Sequence, residues 1–161
     1  MKIVVLAGGL SAERDVSFVT GTTVCRALQD RGHQVILADV YMGYGEKGDD
    51  LEELFDKHGA DRTQSVKIAE MAPDLETVKA MRGDKGDGFF GPDIIELCRR
   101  ADIVFIALHG ENGEDGRIQA AFDLLGIRYT GSDYLSSAVA MNKKVSKQFF
   151  EANHIPTPKG I

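Results

Sequence analysis

The sequence has little that would place it in an oxidising compartment or in a membrane. It contains two cysteines, Cys25 and Cys98, which are far apart and form no C-x-x-C pair, so we predict reduced thiols. No apolar run approaches the roughly 20 residues that a membrane span needs. Met1 and Lys2 lead directly into a predicted strand rather than into a signal peptide. We therefore expect a cytoplasmic protein without a membrane partner.

Clusters of basic residues are also missing. The formal net charge is -6, and the lysines and arginines are scattered, whereas binding to nucleic acid requires grouped cations. We therefore expect no nucleic-acid partner. A chain of 161 residues that is 43% hydrophobic can bury a core without disulfides or structural metal. The size predicts one domain plus a short extension.

Apolar runs alternate with segments of helical spacing along the chain. The runs typical of strands lie at residues 2–6, 34–40, 103–108 and 127–130. Helical spacing is found at residues 16–31, 92–98, 118–125 and 135–152, with Gly32 and Gly126 as C-terminal caps. The run at 103–108 is continuous, which predicts a strand that is buried on both faces. In residues 135–152, the side chains expected to face inward are Ala138, Val139, Val145 and Phe149.

This alternation predicts an α/β fold with an open, mostly parallel sheet and helices on both faces. Residues 41–91 are less regular and contain two weakly helical pieces, at 51–57 and 75–81. The Arg-Gly-Asp triplet in the tract 82–88 is predicted to belong to a solvated loop. Residues 155–158 are expected to be extended because two prolines interrupt the helical pattern.

Two polar, glycine-rich turns follow predicted strands, at residues 7–17 and 109–116. Ligands of parallel sheets bind at the carboxyl ends of the strands, so these turns are the candidate site. Glu13 at the start of a helix could hold an ammonium group, while helix N–H groups face a carboxylate, a combination suited to an amino acid. The alternative, that Glu13 and Asp15 only cap the helix, stays open at this point. Likewise, Asp115 could be the N-cap of a helix beginning near Arg117.

Other kinds of site have weaker support. Asp39 ends a strand where a dinucleotide-binding protein has its ribose-binding acid, but the turn at residues 8–12 lacks the G-x-G-x-x-G pattern and the spacing is too long. A hydrolase or a zinc site is disfavoured because no Ser/His/Asp order, H-x-x-x-H motif or paired cysteines occur. We therefore expect no metal ligands in this chain, and we expect His33 and His58 to be solvated.

Four segments together resemble the D-alanine:D-alanine ligase family of ATP-grasp enzymes. Residues 5–17, VLAGGLSAERDVS, resemble the family's G-G-x-S-x-E-R-E-V-S signature, and residues 107–119, ALHGENGEDGRIQ, resemble its H-G-x-x-G-E-D-G-x-I-Q block. Residues 129–132 with 137–143 are similar to a third block. Residues 155–158 are similar to the lead-in to the next domain. Asp15 stands where the family has glutamate, and Asn142 where aspartate commonly precedes the lysine.

The resemblance implies a reaction and a set of roles. ATP with Mg²⁺ phosphorylates the carboxylate of one D-alanine, and the amine of a second attacks the acyl phosphate, giving a dipeptide for peptidoglycan. Glu13 would act in catalysis by binding and orienting the ammonium of the first D-alanine. The residues implied beside it are Val16, Ser17, His109 and Gly110 for the substrate and Lys143 for the nucleotide phosphates.

The resemblance also implies that most of the machinery lies outside these residues. Residues 1–132 would form the substrate-binding domain and 133–161 the start of the ATP-grasp region. We therefore expect this chain alone to be inactive, and the full-length enzyme to be a homodimer. An apolar face around Ile127, Leu135 and Val139 is expected to be exposed. The alternatives are a regulatory module that binds an amino acid without catalysis and a purely structural α/β domain. The sequence does not decide between D-alanine, D-lactate and D-serine as second substrate.

Overall fold

The computed structural model describes residues 1–44, 51, 53–58, 68 and 72–159. The elements in chain order are β1 (Lys2–Ala7), α1 (Arg14–Asp30), β2 (Gln34–Asp39), α2 (Leu54–His58), α3 (Leu75–Met81), α4 (Ile94–Arg100), β3 (Ile103–Ile106), α5 (Arg117–Leu125), α6 (Tyr134–Met141) and α7 (Lys143–Ala152). No helix within the described residues combines the length and apolar character needed to cross a membrane.

The three strands form a parallel sheet in the order β2-β1-β3. Alternate residues of the central strand point to opposite faces, because side chains in a strand have a period of two. Val4 and Leu6 therefore join the larger core, with α4 and α5, whereas Ile3 and Val5 join a smaller core that contains Cys25 of α1. Helices thus cover both faces, and the predicted open α/β fold is confirmed.

The predicted fourth strand, at residues 127–130, is reduced to a single bridge. Tyr129 pairs with Val104 in the parallel sense, and the amide of Val104 donates to the carbonyl of Arg128 at 2.8 Å. Gly126 and Gly131 flank this segment with positive φ angles of 66° and 121°, so the chain turns away before a second pair forms. The prediction of a strand at these residues was wrong.

The strand predicted at 103–108 is shorter and less buried than expected. β3 ends at Ile106, and only Val104 within it is fully buried. Apart from the single bridge to Tyr129, no strand among the described residues pairs with the outer edge of β3. Ile106 packs against the larger core and Phe105 against the smaller one, but both also line an open cleft, so the predicted burial on both faces is only partly confirmed.

Two helices, α1 and α5, end just before a glycine. Gly32 has a φ of 79° and its amide donates to Gln29 at 2.9 Å, while Gly126 has a φ of 66° at the end of α5. Both positions require the left-handed region, which glycine enters without a Cβ clash. The predicted helix stops are thus confirmed. α1 begins at Arg14, two residues earlier than its apolar spacing suggested.

The irregular segment is only partly described. α3 matches the predicted helix at 75–81, and α2 at Leu54–His58 replaces the one predicted at 51–57. The side chain of His58 and residues 59–67 lie outside the described residues. The Arg-Gly-Asp tract is not simply a solvated loop, because Arg82 is only 4% exposed. Its guanidinium pairs with Asp84 at 2.6 Å and lies over the ring of Tyr41 at 4.8 Å, which fixes the loop to the core.

The last two helices bury no side chains. Among the residues predicted to face inward in α6 and α7, Ala138 and Phe149 are exposed, while Val139 and Val145 are half-buried. The predicted exposed face is confirmed at Leu135, which is 60% exposed, but wrong at Ile127, which is 6% exposed. Ile127 follows Gly126 directly and packs into the larger core beneath the sheet.

Both cysteines are buried and neither forms a disulfide, and burial raises the pKa of the Cys98 thiol to about 12. Because the thiolate is the nucleophile, we expect neither thiol to react with a disulfide reagent at pH 8 while the chain is folded. Two thiols per chain should react in denaturant. The raised pKa also means that the neutral thiol favours folding below pH 9 and that this contribution is lost as pH rises toward 12. Rapid labelling of the native chain would contradict the burial of whichever cysteine reacts, which peptide mapping identifies.

Candidate functional site

The first turn is held by a buried serine. Gly8 and Gly9 both have positive φ angles, 77° and 82°, which lets the chain leave β1 sharply. The hydroxyl of Ser17 accepts a hydrogen bond from the Gly8 amide at 2.9 Å and donates to the Ala107 carbonyl at 2.8 Å. Ser17 thus joins the ends of β1 and β3. Its buried side chain holds the two strand ends together next to the candidate site.

A second serine connects the two predicted turns. The Ser11 hydroxyl donates to the carbonyl of His109 at 2.9 Å and accepts from the amide of Glu13 at 3.2 Å. Ser11 is itself buried. The backbone of the first turn is therefore fixed against that of the second at the position where Glu13 begins α1.

Arg14 and Asp39 form an ion pair behind the first turn, and each side chain is 12% exposed. The Asp39 carboxylate also accepts amide hydrogen bonds from Tyr41 at 3.0 Å and Met42 at 3.2 Å, while Arg14 donates to the Gly9 carbonyl at 2.7 Å. The Asp39 carboxylate is therefore already bound by Arg14 and by backbone amides. This gives no support to a role for Asp39 as the ribose-binding acid of a dinucleotide site.

His109 lies between a hydroxyl and a carboxylate. Its Nε2 atom is 3.0 Å from the hydroxyl of Thr20 in α1, and its Nδ1 atom is 3.9 Å from Oε1 of Glu114. The other carboxylate oxygen of Glu114 accepts from the Gly110 amide at 2.7 Å. The imidazole is therefore held between α1 and the loop that follows β3.

The structure brings Glu13 and His109 together, as the sequence predicts. Ligand atoms of Glu13, His109 and Glu114 all lie within 4.8 Å of one another. A Cβ added at Gly110 would lie 3.7 Å from Oε2 of Glu13. Two carboxylates beside an imidazole make this group attractive to a cation, such as an ammonium. Among the described residues, these three are also the candidate group for a metal ion.

Glu13 does not serve as a helix cap. It occupies the N-cap position of α1, but its side chain makes no capping hydrogen bond. The carboxylate lies next to His109, and nothing in the geometry of the helix end requires a glutamate there. The capping alternative therefore has no support for Glu13, and the side chain is available to a ligand.

Asp115 is not the N-cap of α5. That position belongs to Gly116, whose φ is 89° and whose Cβ would lie 2.2 Å from the Tyr134 carbonyl oxygen. Asp115 precedes it and accepts from the amides of Arg117 at 3.2 Å and Asn112 at 3.0 Å. The prediction was wrong by one residue because only glycine fits this contact with α6.

A cleft of about 480 Å³ opens next to His109 and Glu114 and extends to α6. Its floor includes Gln119, whose side-chain amide donates to the Gly113 carbonyl at 2.9 Å. The sequence patterns assigned no role to Thr20 or Glu114. Thr20 lies seven residues after Glu13, and two helical turns place both on one face of α1, so this signal was present in the sequence.

The two remaining predicted site residues lie at helix starts. Val16 is half-buried in the first turn of α1, near Glu13. Lys143 is the exposed first residue of α7 and lines a second cavity of about 300 Å³ with Ser146 and Lys147. Ala140 lines both this cavity and the larger cleft, so the two lie on either side of this residue of α6.

Comparison with known proteins gives a consistent result. The family model described as D-ala D-ala ligase N-terminus matches residues 2–132. A protein of Lacticaseibacillus casei named D-alanine--D-alanine ligase is 41% identical over 157 residues, which are 98% of this chain and 43% of that protein. A protein of the same name from a Synechococcus strain is 37% identical over the whole chain and 36% of its own length.

Solved structures agree with these matches. The D-alanine--D-alanine ligase of Bacillus anthracis complexed with ATP superposes with a TM-score of 0.61 at 26% identity, covering 99% of this chain and 39% of that one. The ligase of Coxiella burnetii, at 24% identity and a TM-score of 0.60, shares the fold. The chain thus spans less than half the length of the relatives that it matches.

Proposed function

The chain belongs to the family of D-alanine:D-alanine ligase N-terminal regions, and from that premise we propose that it binds the first D-alanine for an ATP-dependent ligase. The complete enzyme would join two D-alanines through an acyl phosphate, giving D-alanyl-D-alanine for peptidoglycan. The observation that carries this proposal is the convergence of Glu13 and His109 from separate turns. The names of the relatives support the choice of substrate.

The pocket suits the ammonium end of an amino acid. The Glu13 carboxylate would accept hydrogen bonds from the ammonium, and charge-assisted hydrogen bonds of this kind are stronger than neutral ones. His109 and Gly110 would line the other side, as the resemblance implies. The first turn of α1, where Val16 lies, carries the partial positive charge of a helix N-terminus, which favours a carboxylate. Binding of this kind would hold the substrate in one orientation.

The nucleotide would meet this chain mainly through lysines. Lys143 and Lys147 line the cavity at the start of α7, and ammonium groups suit phosphate oxygens. The structure of the Bacillus anthracis relative with ATP supports nucleotide use in the family. When bound, ATP supplies the phosphoryl group that activates a carboxylate. We place the ligands of Mg²⁺ in the part of the relatives that lies beyond the matched residues.

Three further expectations belong to the same proposal: a cytoplasmic location, a homodimeric full-length enzyme, and no nucleic-acid or membrane partner. We also propose that residues 1–132 form the substrate-binding domain and that 133–161 open the ATP-grasp region. This boundary is supported by the family match, which ends at residue 132, and by the absence of buried side chains from α6 and α7.

The exposed apolar face of α6 and α7 leads to a prediction. Leu135 and Phe149 are 60% and 55% exposed, so replacing both with serine should change the free energy of unfolding by no more than about 1 kcal/mol. Binding of a dye that fluoresces on apolar surface should fall clearly. As a control, Phe122→Ala removes a fully buried ring and should cost about 3–5 kcal/mol. A large destabilisation by the serine pair would contradict the exposure of this face.

A chimera tests the proposed function. Residues 1–161 would be joined to the segment that follows the matched region in the Lacticaseibacillus casei relative. We expect the chimera to release ADP from ATP in a D-alanine-dependent manner, and the 161 residues alone to release none and to bind ATP weakly. An inactive but folded chimera would contradict the ligase assignment. Tight binding of D-alanine by the 161 residues alone, measured by calorimetry, would favour the regulatory module instead.

A further inference from the structure

The hydroxyl of Thr20 departs from the usual behaviour of a threonine within a helix. Such a hydroxyl commonly donates to a carbonyl of its own helix, one turn back. Thr23 in α1 does so, with its hydroxyl 2.8 Å from the carbonyl of Val19. Thr20 instead lies 3.0 Å from Nε2 of His109, 89 residues away in the sequence. Among the described residues, its hydroxyl has no other hydrogen-bond partner.

The opposite edge of the imidazole faces negative charge. Nδ1 of His109 is 3.9 Å from Oε1 of Glu114, and a ligand atom of the ring is also within 4.8 Å of the Glu13 carboxylate. Negative charge near Nδ1 favours the neutral tautomer that carries its hydrogen there. Nε2 is then unprotonated and accepts a hydrogen bond, and the Thr20 hydroxyl is the donor in reach.

We propose that Thr20 is a positioning residue, which fixes the orientation of the His109 ring and keeps its hydrogen on Nδ1, the atom that faces Glu114. This inference rests on the proposed function, because His109 matters there as a wall of the D-alanine site. Glu13 and Thr20 are two helical turns apart on α1, so one helix presents the ammonium-binding carboxylate and orients the imidazole. Any shift of α1 would move both together.

A catalytic relay from Glu114 through His109 to Thr20 does not fit the same geometry. The 3.9 Å separation between Nδ1 and the carboxylate is too long for a hydrogen bond. The other oxygen of Glu114 is already bound by the Gly110 amide. Thr20 lies within α1 rather than at an exposed turn, so an attacking hydroxyl has no support.

Long-range ¹H–¹⁵N spectra of the histidine rings in the 161-residue chain test this proposal, because they distinguish the two neutral tautomers directly. His109→Gln serves only to assign the resonances. We expect His109 to be mainly Nδ1-protonated in the wild-type chain and in Thr20→Ser, which keeps the hydroxyl. Thr20→Val should lower the ratio of the Nδ1-protonated to the Nε2-protonated tautomer, because the hydroxyl that donates to Nε2 is lost. The change should be up to about fivefold, the ratio that one hydrogen bond of ordinary net strength supplies.

Thr23→Val is the matched control, since it removes the same hydroxyl from the same helix without touching His109. It should leave the tautomer ratio of His109 unchanged. Backbone amide spectra report whether each variant is folded, and Thr20→Ala replaces Thr20→Val if the valine variant is not. An unchanged ratio in folded Thr20→Val or Thr20→Ala, or an equal change in Thr23→Val, would overturn the proposal.

The spectra are recorded without any ligand, so the result does not depend on D-alanine binding. If the ratio changes as expected but D-alanine perturbs no resonance near Glu13 in the chimera, Thr20 positions His109 and the amino-acid site is wrong. If D-alanine binds while the ratio stays fixed, the site stands and the role of Thr20 fails. The two failures are therefore distinguishable.

Discussion

Replacing Glu13 by glutamine in the chimera is expected to lower kcat/KM for D-alanine by about 10- to 100-fold. Glutamine keeps the size of the side chain but removes the charge that would hold the ammonium, and a hydrogen bond to a charged group contributes roughly 1.5–3 kcal/mol. Initial rates of ADP release over a range of D-alanine concentrations measure the effect. The affinity for ATP should change little.

Glu96→Gln is the matched control for that experiment. Glu96 lies on α4 and pairs with Arg100 at 2.9 Å on the surface, away from either turn. Because exposed ion pairs contribute little, this variant should retain wild-type rates. A Glu13→Gln chimera that matched the Glu96→Gln chimera would show that Glu13 does not contact the substrate.

Asp39→Ala should destabilise the chain by about 3–5 kcal/mol. The substitution leaves the guanidinium of Arg14 largely buried without its carboxylate, and removing one partner of a buried pair has a cost of this size. It also removes the acceptor for the amides of Tyr41 and Met42. Urea unfolding followed by circular dichroism measures the change, with the slope checked for two-state behaviour.

The comparison variant is Asp102→Ala. Asp102 is exposed and accepts the amide of Lys2 at 2.8 Å, so its loss should cost no more than about 1 kcal/mol. Equal costs at the two positions would contradict the structural role assigned to Asp39. In that case a ligand-binding role for Asp39 would have to be reconsidered.

The local features that the sequence predicted are those that depend on short-range pattern. The apolar runs of β1 and β2, and the glycines after α1 and α5, determine their own conformation through backbone sterics and burial. The convergence of Glu13 and His109 was also predictable, because carboxyl ends of neighbouring parallel strands meet at one sheet edge.

The predictions were wrong where tertiary contacts determine whether a residue pairs in the sheet or is buried. Residues 127–130 have strand-like composition, yet flanking glycines with positive φ restrict them to one bridge. Phe149 has a helical spacing with apolar neighbours, but that spacing does not say whether a partner surface covers it. The burial of Arg82 likewise depends on the ring of Tyr41, about forty positions away in the sequence. A local sequence pattern cannot predict a contact between residues so far apart.

The role of Thr20 could not be read from composition. A threonine within a helix normally bonds to its own backbone, and only the position of His109 in space shows that this one does not. The spacing of Thr20 from Glu13 was visible, but its meaning required knowing that the loop after β3 lies beside α1.

The most direct measurement is a crystal structure of the chimera with D-alanine bound. We predict that the ammonium nitrogen lies within hydrogen-bond distance of the Glu13 carboxylate and that His109 contacts the same molecule. D-alanine bound elsewhere, with both side chains free of it, would contradict the claim that the two turns build one amino-acid pocket.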